Sequence, residues 1–214
     1  MTYRGLLFTL DRWFADATTS AGPGVVLCRR GCAACCHGPF DISPADAELA
    51  ADAVGRLHPS AKTQVRARAQ EQVARYRADA AGWDAPWDVE ALGDETFDIV
   101  AEHLAAEPCP ALGDDGACLI YDDRPATCRM IGLAILPTGD DPIPNACPII
   151  NTSARYAALD PVPFDLERFE SDADAFDVAA FGRGWVSTTV AGAIESARLK
   201  EEEVAPPGAT SITR

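Results

Sequence analysis

Cys28-Arg29-Arg30-Gly31-Cys32-Ala33-Ala34-Cys35-Cys36 holds four of the chain's eight cysteines in nine of its 214 residues. The other four, Cys109, Cys118, Cys128 and Cys147, are spread over a stretch rich in Pro, Gly and Asp. In a C-x2-C pair such as Cys32/Cys35 the chain folds over so that both sulfurs reach one ion, and backbone N–H groups donate to the sulfurs. Cys28 lies four residues before Cys32, so in a helical segment the two share a face. Cys35 and Cys36 are adjacent and point in different directions. They serve two neighbouring sites, or one ligates while the other packs. Eight thiolates suit two sites of four, or one four-thiolate cluster with spare thiols.

Other readings stand beside this one. Cys28, Cys118 and Cys147 also fit as buried, inert thiols. Some pair could be a disulfide or a redox switch. His37 follows the cluster and could complete a site of three thiolates and one imidazole, although cysteine is already in surplus. His58 and His103 read as surface or helix-end groups. The chain has no Walker A loop, no G-x-G-x-x-G, no H-E-x-x-H and no G-x-S-x-G.

Working outward, residues 3–19 have the helical spacing of Leu6, Leu7, Leu10, Trp13, Phe14 and Ala17. Gly22-Pro23-Gly24 breaks that helix and Val25–Leu27 reads as a short extended piece. Ser43-Pro44-Ala45-Asp46 is a helix start, with Ser43 as cap and Asp46 as a short stand-in for a capping-box Glu. That helix should reach about Leu57. A longer one should run from Ser60 to about Ala81, with Val65, Ala69, Val73 and Tyr76 as its apolar stripe. Lys62, Arg66, Arg68, Arg75 and Arg77 border the stripe, stems down and charges in water; a docking face for an acidic partner is the alternative. Asp94 is placed to cap a helix to about Ala106. Ala111–Leu112 and Ala117–Tyr121 read as a hairpin about the turn Gly113–Gly116. Arg124-Pro125 opens a helical turn carrying Cys128, and the run 131–136 is apolar but of undecided type. Helices are expected at 165–180 and 186–202. The expected fold is mainly α with a small β-hairpin (α+β). It forms a single domain over residues 1–203, with irregular cysteine-rich loops and a flexible tail at 204–214.

Net charge is −15. A field of that sign repels nucleic acid and anionic lipid, so neither is expected as a partner; a basic protein or peptide partner, or simple solubility, fits better. The apolar run Gly5–Leu10 is too short for an export signal and far short of the ~20 residues that span a bilayer. A cytoplasmic location is therefore expected, and there clustered cysteines serve as metal ligands more often than as disulfides.

The cysteine segments resemble the CxxCxxCC family of zinc- or iron-chelating proteins. One likeness is Cys28–Cys36 followed by Ile42-Ser43-Pro44-Ala45-Asp46. The other is Cys109-Pro110, Gly116-Ala117-Cys118-Leu119-Ile120-Tyr121 and Arg124-Pro125-Ala126-Thr127-Cys128-Arg129. Cys147 matches a looser, later cysteine. The first gap is three residues rather than the two of the family's name. The resemblance implies metal binding by Cys28, Cys32, Cys35, Cys36, Cys109, Cys118, Cys128 and Cys147. A related cysteine arrangement occurs in flagellin lysine N-methylases, described as using an iron–sulfur cluster with S-adenosylmethionine. The cluster, not the activity, is what carries over. An iron–sulfur cluster, most naturally 4Fe-4S, used in redox or protein-modification chemistry is the first reading. In it Arg124 and Arg129 neutralise cluster charge from outside the ligand shell. One or two structural zinc sites, in an interaction or metal-carrier protein, are the alternative. The metal should lie between the hairpin and the first cysteine loop.

Overall fold

Leu6, Leu7 and Leu10 line one face of α1 (Tyr3–Ala21) and are buried, as their spacing requires. The Thr2 hydroxyl caps the helix by accepting from Gly5 N–H. Gly22 ends it at φ 91°, a backbone angle that only glycine adopts without strain. The computed structural model describes residues 2–182 and 186–204. Most of the expected tail, 205–214, lies outside the described residues, while Val204 still belongs to the last helix.

The second helix, α2 (Pro44–Gly55), starts at the expected cap. Ser43 Oγ accepts from Asp46 N–H at 3.3 Å, and Pro44 fills the first turn. Asp46 does not reach back as a capping box would. It is buried, and its Oδ2 accepts from Ala126 N–H at 3.0 Å, which ties α2 to the segment carrying Cys128. Next, α3 (Pro59–Asp79) buries Val65, Ala69, Val73 and Tyr76 as a continuous stripe.

The basic residues flanking that stripe find acidic partners within the chain. Arg66 meets Glu201 at 2.5 Å and Lys62 the same carboxylate at 3.9 Å. Arg68 pairs with Asp114, Arg75 with Glu107, and Arg77 with Asp84 at 2.6 Å. Each such half-exposed pair is worth at most about 1 kcal/mol. Together they tie α3 to the hairpin turn, to the residues before Cys109 and to the last helix.

Two short helices follow, α4 (Val89–Leu92) and α5 (Asp94–His103). Asp94 is the first residue of α5, not its cap; Gly93, at φ 85°, marks the boundary. The chain then passes the cysteine-rich stretch and forms α6 (Ala126–Met130), α7 (Ala154–Ala157), α8 (Leu166–Phe181) and α9 (Val190–Val204). The last two match the helices expected near 165–180 and 186–202, except that β-structure takes the start of the second.

Strands are short. β1 (Asp41–Ile42) pairs antiparallel with Thr188–Thr189, and Ile135–Leu136 pairs parallel with Val162–Pro163. The apolar run 131–136 therefore splits into a turn and a strand. The expected hairpin is reduced to one bridge, Leu112 to Cys118, closed by Gly113 N–H on Ala117 O at 2.8 Å and Leu119 N–H on Ala111 O at 2.9 Å. Past the bridge at Cys118 the chain turns at Leu119 and Ile120. Tyr121–Asp123 winds into a 3-10 turn instead, because the Arg129 guanidinium draws the Asp122 carbonyl inward at 2.9 Å. The Val25–Leu27 piece is not a strand; Val25 and Val26 are simply buried.

Three apolar clusters hold these elements. The main one joins α2, α3, α5 and α9 through residues such as Val54, Tyr76, Trp87, Val100 and Ile194. A second packs α1 on α8 through Tyr3, Leu6, Leu10 and Phe169. A third gathers Val26, Leu133, Cys147 and Tyr156 beneath Trp13 and Phe14. Burying one such large side chain fully contributes roughly 1.5–3 kcal/mol. No described helix is long and apolar enough to cross a membrane.

Candidate metal centre

The first cysteine loop is stitched to the segment after α5 by two backbone bonds. Gly38 N–H donates to Glu107 O at 2.8 Å and Cys109 N–H donates to Cys36 O at 2.9 Å. Cys36 is thereby set beside Cys109 although 72 residues separate them in sequence. Within the loop, Cys32 N–H closes a turn on Arg29 O and Cys36 N–H closes one on Ala33 O. Cys32 thus closes the first turn and Cys35 lies within the second, and both line the same cavity.

Seven of the eight cysteines then wall one cavity of about 90 Å³: Cys28, Cys32, Cys35, Cys36, Cys109, Cys118 and Cys128. Phe14, Phe40, Ile120, Ile131 and Val190 supply its apolar wall. Among the described residues the lining holds no carboxylate and no imidazole. Cys147 lies behind Cys28, buried in the third apolar cluster. Its N–H donates to Asn145 Oδ1 at 2.9 Å, and Asn145 Nδ2 donates to Gly132 O at 2.9 Å. Tyr156 hydroxyl donates to that same carbonyl at 2.5 Å, and Cys28 Sγ lies 3.8 Å from Ile131 O. Among the described residues no three His, Cys, Asp or Glu side chains converge as the tight shell of a single ion. The thiols are laid out as the walls of a space.

Burial governs these thiols. It pushes Cys109 up to about 12 and Cys118 and Cys128 upward as well. Cys28 is pushed up to about 11 by burial and then by the charges of Cys35, Cys32 and Cys147. The pair Cys35/Cys36 splits. Their mutual interaction favours the thiolate of Cys35 and disfavours that of Cys36, which burial raises further. Backbone donors at Ala111 and Ile120 favour the thiolates of Cys109 and Cys118, each two residues beyond its cysteine. A soft cation reverses the effect of burial, since it binds the thiolate and releases the proton.

Arg124 supplies positive charge at the wall and favours the thiolates of Cys28, Cys35 and Cys118. It lies over the Tyr121 ring at 4.2 Å, and Arg30 lies over the same ring at 4.7 Å. Arg129 is buried. It meets Asp11 at 2.5 Å and donates to Arg124 O at 3.0 Å, so it braces the arginine beside the thiols. His37 is exposed and outside the cavity lining, where it forms one bridge with Pro108. His58 bonds Ser60 at 2.9 Å and His103 lies 3.5 Å from Asp79, both away from the cysteines.

Sequence reading missed several neighbours. Arg30 stands inside the quoted cluster, yet only the fold shows that it stacks on Tyr121. Asn145 could have been suspected from its place two residues before Cys147. Tyr156, Gly132 and Phe14 carry no local signal.

The donor set fits a soft metal. Thiolates without oxygen donors select zinc or iron–sulfur centres over calcium or magnesium. No curated protein and no solved structure matches the chain. A family model described as "CxxCxxCC: Putative zinc- or iron-chelating domain" matches residues 27–148. That span contains all eight cysteines, the loop stitching and both arginines at the wall. The chain belongs to the CxxCxxCC family of zinc- or iron-chelating domains.

Proposed function

We propose that the protein carries an iron–sulfur cluster in this cavity, for redox chemistry or for modification of a protein or peptide. One observation supports the reading most: seven thiols surround a space of about 90 Å³. A single water needs about 10–15 Å³ on the same measure, so the space has room for roughly six or more waters, well beyond one ion. Cys28, Cys32, Cys35, Cys36, Cys109, Cys118, Cys128 and Cys147 are the residues that would hold metal, with 4Fe-4S as the simplest cluster. When bound, such a cluster supplies one-electron transfer or an open iron for a substrate.

The chain's own residues do the rest. Arg124 offsets the negative charge of the thiolates, and Arg129 fixes Arg124 through its carbonyl. Phe14, Phe40 and Ile131 lower the local dielectric, which strengthens that pairing. A reducing compartment, the cytoplasm, suits thiols held in this state.

A structural zinc reading is favoured by a different observation. The cysteine loops have little regular structure, and isolated bridges at His37–Pro108 and Leu112–Cys118 are what join them. Zinc would then supply folding energy and no chemistry.

The test is iron, zinc and acid-labile sulfide content, with a visible spectrum, on protein purified without oxygen. Iron with sulfide and a brown colour is expected. Colourless protein with zinc and no sulfide refutes the cluster and leaves the zinc reading.

A further inference from the structure

We infer that the eight cysteines form two adjoining metal sites. One is Cys28, Cys32, Cys35 and Cys147, beside the Ile131–Gly132 turn. The other is Cys36, Cys109, Cys118 and Cys128, against the main core. The Cys35–Cys36 peptide is their common wall. This rests on the reading that the cysteines hold metal, and it goes further by saying which share a site.

The fold separates the two groups. Cys28 and Cys147 belong to the third apolar cluster with Val26, Leu133 and Tyr156. Both are anchored on one turn: Cys28 Sγ faces Ile131 O, while Cys147 reaches Gly132 O through Asn145. Cys109 and Cys118 pack against the main cluster instead. Cys36 is joined to Cys109 by a backbone bond of 2.9 Å, and Leu112, the bridge partner of Cys118, donates to Cys109 O at 2.9 Å. Cys36, Cys109 and Cys118 thus form one hydrogen-bonded unit, and Cys128 closes it from α6.

Cys32 and Cys35 fall to the first site by chain continuity with Cys28: Cys32 N–H closes its turn on Arg29 O at 2.9 Å, next to Cys28. Adjacent residues that point apart are awkward in one four-thiolate shell and natural in two. Two shells of four also use every cysteine, including Cys147, which lies outside the common cavity.

The test is native mass spectrometry of the full chain purified without oxygen, with and without graded chelator, and metal content measured in parallel. The expected spectrum shows two metal groups per chain, lost through a species that retains one. Cys147→Ser and Cys118→Ser should each reduce metal per chain by half, and each should leave a different group behind. Circular dichroism confirms that each variant keeps its helices; if one does not fold, the stoichiometry and stepwise loss in the unmodified chain decide alone. One group only in the native protein overturns the two-site inference and leaves the metal reading intact. Full metal content in folded Cys147→Ser overturns it as well. No metal of any kind in the native protein overturns both.

Discussion

Gly132→Ala tests how closely the cysteine cavity depends on one backbone atom. Gly132 sits at φ 121°, outside the range that residues with a Cβ adopt comfortably. A Cβ built there would lie 3.0 Å from Cys28 Cβ and 3.1 and 3.2 Å from two ring atoms of Phe14. Neither neighbour can yield easily. Phe14 is on α1, and Cys28 Cβ is next to the main chain. The carbonyl of Gly132 is held as well, by Tyr156 and Asn145. Forcing a side chain into such a conformation costs of order 1–3 kcal/mol. Overpacking a filled site costs typically another 1–3 kcal/mol. The sum, roughly 4 kcal/mol, is a large part of the ~5–15 kcal/mol that stabilises a domain. It corresponds to a fall in Tm of about 8–16 °C for a chain of this size. Gly82→Ala is the control, since Gly82 has φ 85° and nothing within 4 Å of a built Cβ. It should cost about 1–2 kcal/mol, the backbone part alone. Urea denaturation followed by circular dichroism, with metal content measured beside it, reads both variants. If Gly132→Ala is no less stable than Gly82→Ala and keeps all its metal, the argument that this turn positions Cys28 is wrong.

Burial raises Asp46 from 3.8 to about 6. Folding therefore favours its protonated form: that stability is fully present below pH 4 and is lost as pH rises through 6. The loss is about 3 kcal/mol at 1.36 kcal/mol per pH unit. Asp46→Asn should remove this slope, so the difference in stability between variant and native should grow from pH 4 to 6 in the variant's favour; a pH-independent difference would refute the assignment. Asp11→Ala leaves the buried Arg129 without its carboxylate and should cost roughly 2–3 kcal/mol; a change under about 0.5 kcal/mol in thermal unfolding would show that the pair is idle. Cys32→Ser and Cys128→Ser should each lower metal content and stability together, measured by elemental analysis and urea unfolding, and unchanged metal in both would remove the metal reading.

Helices were the most legible part of the sequence because their signals are local. The leucines of α1, the Ser43 cap and the stripe of α3 all act within a few residues, and each stands where its spacing places it. The hairpin was legible only as far as its turn chemistry reached. Past Leu119, a guanidinium ten residues on captures the backbone, and no propensity in Ile120 or Tyr121 announces that. Asp46 is similar: its side chain follows a capping pattern on paper, but a donor 80 residues away claims it. The cysteines could be recognised as a set, since clustered thiols without oxygen donors have few other uses. Their arrangement could not be read, because Cys36 meets Cys109 through backbone bonds that depend on how α2 to α5 pack. Cys147 shows the same limit. It sits behind the cavity that the other seven line, held by Asn145, Gly132 and Tyr156.

The stitching of Cys36 to Cys109 also has a kinetic side. Closing a flexible loop of the 72 intervening residues costs about 4 kcal/mol of chain entropy. The two backbone bonds across it return only about 1 kcal/mol each. An unfolded chain therefore cannot preassemble this wall, and a metal ion met early finds scattered thiols. Once α2, α3 and α5 have packed, the long loop has become a rigid spacer and closure is nearly free. Assembly of the centre is thus a late event that waits on the helical core, and slow, folding-limited uptake of metal by refolding protein is the behaviour this order of events dictates.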